Sequence, residues 1–216
     1  MGYGADLRRA WNLLWNPGKE SKASMNISKA LKFYYEIGVL GMVLYWIVGT
    51  LLIGAGLTIG SYYLPMMPYK PLISYIVFPL LVFSGIFYFL ILIPIGIAID
   101  ALLYHIVGKY LLNAWNGNYD RTFAAVTFSE MPMVLFFWLV LIPFVRILVA
   151  IFAFWQVVIL IIALATQQKT TRTNAFTAIL ATLILALLFA FMVMAFAVPS
   201  FLPYHLYHIY SVGYPV

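Results

Sequence analysis

The chain contains no cysteine, so a disulfide, a thiolate nucleophile and a cysteine metal site are all excluded. Charge is nearly as scarce. Lysine, arginine, aspartate and glutamate make up 8% of the 216 residues, where a soluble domain carries about 25%. So few charges cannot cover a water-facing surface, and the bilayer must be the solvent for most of the chain. Enzyme signatures are missing as well: there is no His-Glu-x-x-His, no Gly-x-Ser-x-Gly and no phosphate loop. Asp100 and Asp120 are not placed as an intramembrane aspartyl pair. His205 and His208 lie three apart without the acid or cysteine that would complete a metal site. Neither an enzyme nor a cofactor is expected.

What the chain does have is apolar length, with 65% hydrophobic residues. Its twelve basic residues outnumber its six acids, for a net charge of +6. They flank apolar runs, a pattern of membrane topology and contact with anionic lipid rather than of nucleic-acid binding. The expected fold is all-α: a polytopic integral membrane protein with five transmembrane helices and an N-terminal amphipathic interfacial helix. Residues 1–36 form a cytoplasmic amphipathic and basic segment, 37–198 the five-helix domain, and 199–216 an external aromatic-rich tail. Residues 1–36 hold no apolar stretch of signal-peptide type, so none is expected.

The first element spans residues 6–15. Leu7, Trp11, Leu14 and Trp15 share one helical face, which would lie in the interface with its tryptophans at headgroup level and Arg8 and Arg9 reaching anionic lipid. A helix packed on protein is the alternative. Asn16-Pro17-Gly18 ends it. The spans are expected at about 38–60, 71–99, 122–142, 147–166 and 175–198; ~20 apolar residues cross the hydrocarbon, and the second run exceeds this, so its helix should tilt or protrude. Residues 101–112 would continue the second helix beyond the membrane. Gly56 and Gly60 in the first span, and Ala178, Thr182, Ala186 and Ala190 in the fifth, are small residues four apart, a spacing suited to close helix contact and to a homo-oligomer or membrane-protein partner.

The basic residues test this count. With five spans and a cytoplasmic N-terminus, Arg8, Arg9, Lys19, Lys22, Lys29, Lys32, Lys109, Arg121, Lys169 and Arg172 fall inside, and Lys70 and Arg146 outside. That asymmetry supports five spans with an external C-terminus, and the cell membrane is the expected location. A shallow re-entrant hairpin in place of spans three and four keeps the same parity.

The stretch 119–175 carries most of the remaining information. Gly117-Asn118-Tyr119, Thr122-Phe123, Met131-Pro132, Pro143, Trp155, Leu164 and Ala175 follow one another in order after the Asn16-Pro17 turn. This succession resembles the Ypt-interacting protein (Yip) domain family of five-span membrane proteins. Pro17, Gly117, Pro132, Pro143 and Trp155 are the landmarks that carry the likeness. The Asp-Leu-Tyr-Gly-Pro motif of eukaryotic members is absent, which points to a prokaryotic member. The resemblance implies a non-enzymatic role in membrane organisation or traffic, through lipid or membrane-protein binding.

Glu130 is the main candidate functional residue. It lies about 12 Å into a helix starting at Thr122, at 1.5 Å per residue. An acid near the bilayer centre costs about 2.5–3.5 kcal/mol on insertion scales, so it should face the bundle or water. Asp100 and Lys109 approach from the same side and are its expected neighbours. A structural polar link is one reading. A small ion or proton channel or transporter is the other, and the absence of a visible inverted repeat weighs against it.

Overall fold

The computed structural model describes the backbone of residues 3–63 and 70–211, and the side-chain surroundings of residues 3–56 and 75–195. Among the described residues every regular element is helical. In chain order these are α1 (Tyr3–Trp15), the single turn α2 (Pro17–Glu20), α3 (Ile27–Tyr63), α4 (Lys70–Phe87), α5 (Ile93–His105), α6 (Tyr119–Phe136), α7 (Ile147–Gln168) and α8 (Arg172–Ser211). Five stretches are long and apolar enough to cross a membrane: Ile27–Gly56, Tyr75–Leu111, Tyr119–Leu141, Ile147–Gln168 and Arg172–Ala195. The chain is thus an all-α polytopic membrane fold. The 22 residues of α7 measure about 33 Å at 1.5 Å per residue, so length does not restrict the α6–α7 hairpin to shallow re-entry.

α3 begins at Ile27, so Lys29 and Lys32 ride on its first turns rather than in a separate basic segment. The start is chemical: the Asn26 side-chain oxygen accepts the Lys29 N–H at 3.0 Å, capping the helix. The second span is one long rod interrupted by wider turns at Tyr88–Leu92 and Ile106–Leu111. The first of these has a local cause. Pro94 has no N–H to give, so the carbonyls of Phe89 and Leu90 lose the donor that either helical register would supply. Two tyrosines of α3 replace it: the Tyr34 hydroxyl donates to Phe89 at 2.5 Å and Tyr35 donates to Leu90 at 3.5 Å. A backbone break at membrane depth is thereby satisfied from the neighbouring helix.

α6 is the axis of the bundle. Phe123, Ala125, Val126, Phe128, Met131 and Val134 are buried on successive faces, and α3, α5, α7 and α1 all pack against it. A helix buried on every side has no apolar stripe to reveal it. Its polar residues look after themselves, Thr127 donating to the Phe123 carbonyl at 2.9 Å and Ser129 to Val126 at 2.8 Å. Close approach is made by glycines other than those expected. A Cβ at Gly41 would run into the Val134 carbonyl oxygen of α6, and one at Gly49 into Leu81. Gly56 is exposed and a Cβ there would meet nothing. On α8, Ala178 and Thr182 are buried, but Ala186 and Ala190 are exposed. The small-residue seam therefore stops after one turn, because α8 leaves the bundle beyond Thr182. α8 itself runs on to Ser211, past the expected end at 198. The expectations for Gly60, Lys70, His205 and His208 concern side chains outside the described residues.

Candidate functional site

Glu130 stands on the α6 face that meets α7. There the Gln156 amide donates to its Oε1 at 2.5 Å. Gln156 was missed in the sequence, although a signal exists. Both residues lie 13 positions from Pro143 at the hairpin turn, and in an antiparallel pair equal distance from the turn means equal depth. Each is also an isolated strongly polar side chain in its stretch. The carboxyl reaches a cleft of about 210 Å³ between α5 and α6, lined by Tyr88, Leu92, Ile93, Gly96, Ile97 and Asp100. Asp100 and Glu130, expected as neighbours, thus share one cleft. Lys109 does not join them. Its ammonium sits 5.4 Å from the Tyr110 ring centroid, and among the described residues no carboxylate lies within ion-pair distance of it. The reason is register: Lys109 falls in the wide turn after His105, more than two helical turns beyond Asp100. The cleft therefore presents two carboxyls with no cation among the described residues.

A second polar joint closes the end where α5, α6 and α7 meet. His105 Nδ1 is 3.0 Å from the Thr122 hydroxyl. The Gln168 amide donates to that hydroxyl at 2.7 Å and to the Asn118 carbonyl at 3.2 Å. Thr170 donates to Ala114 at 2.7 Å. Gly117 leaves room here for Gln168: a Cβ would meet its amide oxygen and displace the amide from its two hydrogen bonds. α7 stops on Lys169 at φ 53°, with the Thr170 N–H returning to Ala165 at 3.0 Å, a left-handed cap.

The N-terminal helix is docked on protein. Its buried residues are Asp6, Arg9, Ala10, Leu13 and Leu14, at helical spacing. The Trp155 indole donates to the Leu14 carbonyl at 2.9 Å, satisfying one free acceptor at the helix end. Gln167 donates to the carbonyls of Ser21 and Ala23, the latter at 3.0 Å. Arg9 is a correction to the sequence reading. Expected at the headgroups, it is only 8% exposed, with its guanidinium carbon 4.7 Å from the Phe128 ring centroid. Burial pulls its pKa below the ordinary arginine value, against the opposing pull of Glu20 and Asp6. The apolar face and the buried face differ in phase because Arg9 lies inward with Ala10 and Leu13. Arg8 is exposed.

Trp11 and Trp15 point outward, 51% and 68% exposed. With Leu14, Phe136, Phe152 and Trp155 they wall an open groove of about 580 Å³ between α1 and α7. Phe136 and Phe152 stack at 4.3 Å on its floor, and Trp11 meets Phe136 at 6.4 Å. No protein-family model, curated protein or solved structure matches this chain. The five landmark residues each have a structural role. Trp155 ties α1 down and walls the groove. Gly117 admits Gln168. Pro17 is buried at the first position of α2, and its carbonyl accepts from Ser21 at 2.6 Å. Pro132 is buried inside α6, two residues beyond Glu130. Pro143 stands in the turn between α6 and α7, where its carbonyl accepts the Val145 N–H at 2.9 Å.

Proposed function

We propose that this chain is a non-enzymatic, Yip-type protein of the cell membrane that acts by binding lipid along the groove between α1 and α7. The N-terminus is cytoplasmic and the C-terminus external in this reading, on the strength of the basic residues. The observation that carries it is the groove itself. Its walls are aromatic and apolar, and its two exposed tryptophans belong to the residue type enriched at the membrane–water boundary. α1 is held in place beneath them by Trp155. The test is quenching of tryptophan emission in liposomes by headgroup-level spin-labelled lipid. The quenched fraction should fall in the Trp11→Phe, Trp15→Phe variant. Quenching unchanged by that variant would sink the lipid reading and favour a membrane-protein partner or a second copy in the groove.

A channel or transporter is the second reading, favoured by the cleft that Asp100 and Glu130 share. It requires proton or cation flux in liposomes that Glu130→Gln abolishes without loss of folding. The polar-link reading expects no flux in either form.

A further inference from the structure

We propose that the hollow between α1, the 23–25 segment and the first turns of α3 binds the phosphate of an anionic phospholipid headgroup. The hollow measures about 290 Å³, and its wall includes Asp6, Arg9, Ser24, Met25, Lys29 and Lys32. Three cations face one acid there. Arg9 is the unusual member. It is buried, yet among the described residues no carboxylate lies within 4.0 Å of it. Its partners are neutral: the Glu20 carbonyl oxygen at 2.7 Å, the Met25 sulfur at 3.8 Å, and the rings of Phe128 and Phe33. A guanidinium stays charged and carries five donors, so donors remain for the hollow that it lines. Glu20 and Asp6 act on this charge only from beyond ion-pair distance; a buried charge with no counter-charge in contact is costly, and an anion in the hollow would supply one.

The placement selects the source of that anion. Ile27 opens a candidate span of 30 residues, about 45 Å at 1.5 Å per residue, which matches a bilayer with its headgroups, so the hollow at its end lies at headgroup level. The N-terminal end of α3 adds its partial positive charge. Lys29 is exposed. Lys32, 68% exposed, pairs with Glu36 at 3.8 Å, a long surface contact worth little that it would exchange for a phosphate beside Lys29. The desolvation that lowers the Arg9 pKa would be offset by the same anion.

The inference rests on the membrane reading but not on the groove, which lies against α7 and shares none of these residues. The experiment measures the thermal midpoint of the full chain in neutral detergent against added short-chain phosphatidylglycerol, phosphatidylcholine or inorganic phosphate. Phosphatidylglycerol should raise the midpoint and phosphatidylcholine should not. Lys29→Gln with Lys32→Gln, both surface changes, should weaken the phosphatidylglycerol response about thirtyfold at low salt while leaving Trp11 and Trp15 quenching intact. Arg9→Lys should weaken it further if it folds, and the lysine variant decides the matter if it does not. Equal shifts from the neutral lipid, or a response indifferent to the lysine change, would overturn the site. An equal shift from inorganic phosphate would overturn the headgroup assignment in favour of a soluble anion.

Discussion

α6 and α8 invert what hydropathy alone would suggest. The third span, built on α6, is the least apolar of the five, yet 61% of its most apolar 18-residue stretch is buried. The fifth, built on α8, is far more apolar, and only 17% of its stretch is buried. Beyond Thr182 every described α8 residue is exposed. In water the more apolar helix would be the inner one. In lipid it has no reason to be, because hydrocarbon solvates leucine as well as protein does. Burial goes instead to the helix with small and polar residues: Ala124 and Ala125 let backbones approach, Thr122 bonds across to His105 and Gln168, and Thr127 and Ser129 are satisfied within α6 itself. α6 is inside because lipid would be a poor solvent for it.

The contrast can be broken from either side, and the largest effect is expected at the α3–α6 crossing. Gly41→Leu drives a side chain into the Val134 carbonyl, with nothing flexible in the way to yield. It should cost about 3 kcal/mol or more, read as a collapsed thermal midpoint in detergent. Glu130→Leu comes next. It strands the Gln156 amide, at about 1–3 kcal/mol, whereas Glu130→Gln should stay near wild type. A Leu form as stable as the Gln form would show that the α6–α7 bond is not structural. Trp155→Phe keeps the ring and loses the bond to Leu14, worth about 1 kcal/mol. Its signature is local: amide exchange should accelerate in α1 and not in α6. At the bottom of the scale, Ala186→Leu with Ala190→Leu should leave stability unchanged, while Ala178→Leu, a buried position on the same helix, should lower the midpoint. If the outer pair proved as damaging as Ala178→Leu, α8 would have a partner there, such as a second copy.

The number of apolar helices was legible in the residues, and so was the importance of 119–175. The pairing of Asp100 with Glu130 in one cleft was anticipated, but Gln156 was not, because depth matching across the hairpin was not applied to it. Arg9 was turned outward in the sequence reading because charge normally seeks water, whereas here two phenylalanines and a carbonyl take it in. Gly56 and Gly60 stood out by spacing, while Gly41, which makes the close crossing, has no such mark.

The division has one physical cause. The sequence by itself determined that the chain is helical, polytopic and five times long enough to span, because transfer of a segment into hydrocarbon depends on its own residues and adds along the helix. Only the tertiary structure decided which faces meet protein and which meet lipid. Both environments are apolar, so the periodic contrast that reveals the inner face of a soluble helix is absent from α6 to α8. The choice is left to glycine gaps, stray amides and one buried guanidinium, none of which declares its partner until the helices are packed.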